Sequence, residues 1–330
     1  MEKEPVSLLK YYMSTFKPFF VSSDQTHKTG NLPKIFLCTV AAVVFLSIGS
    51  ASAVEKSGQA GDILRNAYLR NMTRLETNGF GLPLFLESFE KDDRVQVDVY
   101  GIFDYPFNSV VKVLKKPANW CDIVSLHPNV KACASTDLQS AELLTFYIGR
   151  KVYQAPEDTR QVVYQYRNVD QQPGYLDIML SADAGPFGTR DHRMRFEALP
   201  IDGGRTFVHV SYTYSDSAAL RLAGKAYFAT LGAGKVGFTV TGTDSSGSPV
   251  YVGGPRGAIE RNAVRYYLAI QSYMNTLRYP EEGRFSMRIS EWYDLTARFR
   301  KQLFELDRND YLAIKTKERM HQVTLQTAAR

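Results

Sequence analysis

Five runs of alternating apolar and polar residues, closely spaced and followed by one long helical stripe, constrain this 330-residue chain more than any other feature. The runs are Leu143 to Tyr153, Gln161 to Asn168, Tyr175 to Asp183, Arg190 to Leu199 and Thr206 to Ser215. Alternation marks a strand with one face buried and the other wet. Short turns at Ala155-Pro-Glu-Asp158, Asp170 to Gly174, Gly185-Pro-Phe-Gly188 and Asp202-Gly-Gly204 separate them, which predicts an antiparallel meander. On the last two strands His192, Met194, Phe196, Val208, Val210, Tyr212 and Tyr214 share one face, while Asp191, Arg193, Arg195, Glu197, His209, Ser211 and Thr213 share the solvated one. An apolar wall of this size must be covered. The cover is predicted further on, where Ile259, Ala263, Tyr266, Tyr267, Ile270, Met274 and Leu277 form one helical stripe, with Glu260, Arg261, Arg265, Gln271 and Asn275 on its opposite, polar side.

Around this body the pattern gives an amphipathic helix from Ala60 to Thr77, a half-buried strand from Arg94 to Phe103, and two short helices, Pro106 to Leu114 and Pro117 to Val124. Gly232 to Gly257 is rich in Gly, Ser and Thr and reads as a flap with one strand at Val236 to Thr241. A charged helical tail runs from Met287 to Arg330.

The N-terminus reads as a targeting segment. Lys28 and Lys34 precede Ile35 to Gly49, a stretch without a charge, and Ser50-Ala-Ser-Ala53 follows in the form of a cleavage site. The stretch is shorter than the ~20 residues of a bilayer span, which favours export to the periplasm with cleavage after Ala53. Retention as an inner-membrane anchor through residues 35–49 is the alternative, and the start is open between Met1 and Met13. Cleavage removes Cys38 and leaves Cys121 and Cys133, an even number in an oxidising compartment, so a disulfide is expected ahead of two buried thiols. The chain divides into residues 1–53, a signal with an N-terminal extension; 54–80, a helix; 81–278, the main domain; and 279–330, a C-terminal helical extension.

One segment carries a family resemblance: Tyr100-Gly-Ile-Phe-Asp-Tyr-Pro-Phe-Asn-Ser-Val-Val-Lys-Val-Leu114, followed by Trp120. It resembles the START-like, polyketide-cyclase-like superfamily, in which the first strand runs into a Pro-led helix and a Trp follows in the second. The helix Ala258 to Leu277 is similar to that superfamily's closing helix, and the resemblance spans residues 90–278. It implies an α+β helix-grip fold, with an antiparallel sheet of about six or seven strands curved around the long helix, and a cavity between the two for an apolar or amphipathic small molecule, often a lipid. The residues placed to line that cavity are His192, Met194, Phe196, Tyr212, Tyr214, Tyr266, Tyr267 and Ile270. The hydroxyls of Tyr212, Tyr214 and Tyr267 and the His192 ring would be the polar handles in an apolar site.

Other chemistries are poorly supported. The formal charge is +6, of which residues 1–53 hold +2, and the Arg-rich strand carries interleaved acids, so no phosphate-binding stripe for nucleic acid is expected. No G-x-S-x-G, H-E-x-x-H, P-loop or G-x-G-x-x-G occurs in the exported part, no histidines are spaced as a metal pair, and no cofactor is expected. An enzyme of the cyclase or dehydratase kind would have to use His192 with Asp183 or Asp191 and a Tyr acid. The third reading is an envelope-docking module that meets its partner through Trp292, Tyr293 and Phe299 of the tail, and transient membrane contact is a separate expectation.

Overall fold

The structure is a computed structural model, and it describes residues 49–138, 141–230 and 232–329. The apolar stretch before Gly49 lies outside the described residues. The first helix, α1 (Gly49–Glu76), includes the Ser50–Ala53 motif and begins earlier than the sequence pattern suggested. Among the described residues no helix is long and apolar enough to cross a membrane.

Eight antiparallel strands form one sheet in the order β1-β2-β8-β7-β6-β5-β4-β3. They are β1 (Leu84–Lys91), β2 (Arg94–Phe103), β3 (Val130–Leu138), β4 (Ala141–Ile148), β5 (Arg160–Gln172), β6 (Tyr175–Ala184), β7 (Arg190–Pro200) and β8 (Thr206–Ser215). Strand β2 alternates strictly between buried and partly exposed positions, as its sequence predicts. Strand β3 does not: Val130 to Ala134 are all buried, because the strand is covered on both sides.

Two short helices, α2 (Phe107–Leu114) and α3 (Pro117–Val124), link β2 to β3. Pro117 opens α3, where its missing N–H costs nothing. The Trp120 indole donates to Leu114 O at 2.7 Å, and Cys121 is joined by a disulfide to Cys133 on β3 with Cα atoms 4.9 Å apart. By chain-entropy arithmetic a loop of this size is worth on the order of 3 kcal/mol.

After β8 come α4 (Ala218–Ala229), capped by Ser217, and a small hairpin of β9 (Val240–Thr243) and β10 (Pro249–Tyr251) within the expected flap. The long helix α5 (Gly254–Thr276) then packs across β1, β2 and β8. This is the helix-grip arrangement that the resemblance implied, with one strand more than the range expected. Gly101 on β2 is what permits the close approach: a Cβ there would lie 2.1 Å from the Tyr267 hydroxyl oxygen.

The opposite side of α5 is not solvated. Glu260, Arg261 and Arg265 are all buried, Glu260 against Ser88 and Thr239, Arg261 against Lys235 and Arg265 against Glu305, and α6 (Glu281–Ala297) packs along the same helix. The Trp292 indole donates to Arg265 O at 3.1 Å, and Ser272 Oγ donates to Arg288 O at 2.9 Å. Trp292 and Phe299 are therefore buried, and Tyr293 partly so, turned toward the body of the protein.

After the single turn α7 (Arg300–Leu303), the last helix, α8 (Arg308–Ala328), docks on β3. Lys315 Nζ donates to His127 O, Val130 O and Glu318, and Lys131 Nζ donates to Pro128 O and the same Glu318. Further along, Gln326 accepts from Ser135 N at 2.8 Å and donates to Ser135 O at 2.9 Å.

The outer face of the sheet is only partly wet. A second apolar cluster of Leu64, Leu75, Phe85, Tyr175, Leu199 and Phe207 forms under α1. Each such side chain stabilises by about 1.5–3 kcal/mol when fully buried. Beside it His209, expected in solvent, is instead held between Glu197 and Asp98 and stacked under Tyr100 at 4.4 Å.

Candidate functional site

The expected wall forms as the alternation dictates. Met194 pairs with Tyr212 and Phe196 with Val210 across β7 and β8. His192 reaches the same face although one extra residue interrupts the pairing between Arg190 and Arg193. Asp191 absorbs that bulge at φ 53°, a conformation Asp adopts more readily than most residues. Gly185 leaves room for the ring, since a Cβ there would lie 2.0 Å from His192 Nε2.

The roof comes from α5. Tyr267 and Ile270 are buried in the main core with Met194, Phe196 and Tyr212, and Tyr266, partly buried, packs against it. Tyr214 is partly buried and stacks on His192 with ring centroids 5.4 Å apart. Tyr266 meets Tyr212 edge-on at 6.4 Å and stacks on His127 at 5.0 Å. The eight expected residues thus lie on two facing surfaces, with phenols and imidazoles set among aliphatic and aromatic carbon.

His192 is neutral here. Its Nε2 is 2.7 Å from Thr189 Oγ1, and its Nδ1 is 3.1 Å from the Tyr212 hydroxyl and 3.5 Å from that of Tyr164. Burial pushes its pKa down to about 4, against a small opposing effect of the Asp191 charge. Burial likewise raises the phenols of Tyr212, Tyr214 and Tyr266. Asp183 and Asp191 are exposed, and among the described residues no carboxylate hydrogen-bonds His192.

Sequence reasoning missed several groups that border the same space. Tyr164 lies on β5 with its ring 4.6 Å from Phe146, and His127 Nε2 is 3.2 Å from Asn262 Oδ1. His127 is held well below its ordinary pKa by burial and then by the charges of Arg265, Lys151 and Lys315. Only the alternation of β5 could have pointed to Tyr164. Nothing in sequence brings His127 to α5.

Two hollows open elsewhere. A cleft of about 520 Å³ lies between α1 and the β1–β2 end, lined by Tyr68, Met72, Leu82, Pro83, Ile102 and Arg205 among others. A small void of about 20 Å³ lies beside Glu305, Trp292 and Tyr311. None of the eight expected residues lines either hollow.

No protein-family profile matches the sequence, and no curated protein matches it. Solved structures similar to the chain include human StAR-related lipid transfer protein 5, over 53% of this chain and 90% of that one, at 11% identity and TM-score 0.28. Truncated norcoclaurine synthase from Thalictrum flavum is similar over 43% of this chain and 91% of its own, at 9% identity and TM-score 0.30. A conserved protein from Geobacillus kaustophilus is similar over 54% and 93%, at 10% identity and TM-score 0.33. Likenesses of this degree carry no argument about ligand or chemistry.

Proposed function

We propose that this protein is exported and binds or carries an apolar or amphipathic small molecule, of lipid character, between the inner face of the sheet and α5. The observation that carries the reading is the pairing of two surfaces. A wall of Met194, Phe196, Tyr212, Tyr214 and His192 faces a roof of Tyr266, Tyr267 and Ile270, giving mostly apolar area with a few phenol and imidazole groups to orient a ligand. A ligand would enter by parting α5 and the flap from the wall, at the expense of contacts these side chains now make with one another. Export is supported by the Cys121–Cys133 disulfide, a bond that persists in oxidising compartments.

The test is native mass spectrometry, with organic extraction, of the protein taken from its own host's periplasm or membranes. A stoichiometric apolar adduct on a chain beginning after Ala53 is the expected result. A clean apo mass, unchanged after incubation with lipid extracts, would overturn the carriage reading. Tyr267→Ala should weaken retention of the adduct while unfolding remains cooperative.

A further inference from the structure

One carboxylate in this fold is surrounded by more positive charge than it can neutralise. Glu305 lies in the connection between α7 and α8, at residues 304–307. It pairs with Lys151 from the β4–β5 connection, with Lys235 from the flap at 2.8 Å, and with Arg265 of α5 at 2.8 Å. Arg261, one turn before Arg265, donates to Lys235 O at 2.9 Å and completes a cationic rim. Three cationic side chains on one acid leave this partly buried place with an excess of positive charge that attracts anions.

Two further observations point to a ligand. Arg265 is fully buried, yet its Nε has no hydrogen-bond partner among the described residues, which leaves a donor open to a ligand oxygen or a water. The rim reaches the proposed pocket through a short chain of side chains: Arg265 donates to Asn262 Oδ1 at 3.4 Å, His127 Nε2 lies 3.2 Å from the same oxygen, and the His127 ring stacks on Tyr266 of the roof at 5.0 Å. Glu305 itself bonds Lys151, Lys235 and Arg265, so a ligand carboxylate meets these cations by taking its place. The exchange is mechanically simple, since Glu305 and Lys235 both stand outside helices and strands and Lys235 is 40% exposed.

We propose that Lys151, Lys235, Arg261 and Arg265 form the receptor for the carboxylate head of a fatty-acid-like amphiphile, and that Glu305 occupies this receptor as an internal substitute until the ligand displaces it. The proposal rests on the reading that the apolar space behind it takes the tail. Lys151 fits this role, because burial and the Arg265 charge push its pKa down to about 7 against the pull of Glu305, so it keeps its proton only while a carboxylate lies beside it, whether that of Glu305 or of the ligand. Glu305 itself is held down at about 2, burial being outweighed by Lys151 and Arg265, so it remains a charged occupant throughout the ordinary pH range.

The experiment measures binding of decanoate, decan-1-ol and acetate to the full chain by titration calorimetry. It compares the wild type with Glu305→Gln and Lys235→Ala, after melting curves have shown each variant folded. Decanoate should bind the wild type about tenfold tighter than decanol, in line with charge-assisted hydrogen bonding. Glu305→Gln should tighten decanoate and leave decanol unchanged, and Lys235→Ala should weaken decanoate alone. Equal affinity for acid and alcohol in all three proteins overturns the receptor while leaving the apolar pocket standing. Acetate binding as tightly as decanoate overturns the link between head site and tail. Failure of both ten-carbon probes to bind overturns the pocket and the receptor together.

Discussion

His209 Nδ1 lies 2.8 Å from the carboxylate of Glu197, its direct cross-strand partner, and the other ring nitrogen lies 2.9 Å from Asp98 on the next strand. Burial disfavours the charged ring, but hydrogen bonds and charge from Asp98 and Glu197 outweigh it and raise the pKa from 6.5 to about 9. The folded state thus holds the proton more tightly than the unfolded chain. The stabilisation is complete below pH 6.5 and disappears as pH rises through about 9, each unit between the two values being worth about 1.4 kcal/mol. Urea unfolding from pH 6 to 10 should show the alkaline loss in the wild type and not in His209→Gln. The same slope in both would show that the ring is not the group responsible.

His192 has the opposite sign. Its folded pKa of about 4 lies below 6.5, so the unfolded chain gains a proton first as pH falls, and stability declines between pH 6.5 and 4. Nuclear magnetic resonance titration should find this ring neutral at pH 6 and His209 charged at pH 8.

Gly101→Ala should cost about 1–3 kcal/mol through overpacking, because the new methyl would meet the Tyr267 oxygen at 2.1 Å and the ring Cζ at 2.6 Å. Removing only the hydroxyl leaves the ring carbon in place. Tyr267→Phe is therefore expected not to restore the stability of Gly101→Ala in thermal melts, and full recovery would contradict the geometry.

Glu318 is the shared partner of Lys131 and Lys315, and all three side chains are at most 3% exposed. Burial already lowers both lysine pKa values, that of Lys315 to about 8. Glu318→Gln leaves two buried ammonium groups without their acid, a loss of about 3–5 kcal/mol. Hydrogen exchange should rise sharply in α8 and β3 and less in β8. Uniform protection would show that the pair contributes little to docking.

Reduction of the Cys121–Cys133 bridge should lower stability by roughly 2–4 kcal/mol, or several degrees in Tm for a chain of this size. Differential scanning fluorimetry with and without a phosphine reductant would measure it, with Cys121→Ala/Cys133→Ala as the control that ought not to respond.

Much of the body was legible because one-sided burial writes itself as alternation. Met194 and Phe196 of β7 and Tyr267 and Ile270 of α5 take their places in one core, and Tyr266 meets Tyr212 edge-on across it. Strand β3 carried no such signal, being buried on both sides from Val130 to Ala134, and α4 has no buried residue to mark a stripe. The polar side of α5 misled for a different reason. Glu260, Arg261 and Arg265 look solvent-bound until the flap and the α7–α8 connection bring them partners, among them Thr239 and Glu305, which lie 21 and 40 positions away. Local pattern reports what a helix could face and is silent on whether a later segment will come to lie against it.

The Gln326 side chain, with its amide oxygen on Ser135 N and its amide nitrogen on Ser135 O, presents to β3 the same donor and acceptor that a neighbouring strand would. An open strand margin is a template for another chain, and proteins that leave one bare tend to associate through it. By closing this margin with a helix, the C-terminal segment acts on colloidal behaviour as well as on stability: a chain shortened before α8 would offer its sheet to its own copies, and its first visible defect would be self-association in concentrated solution.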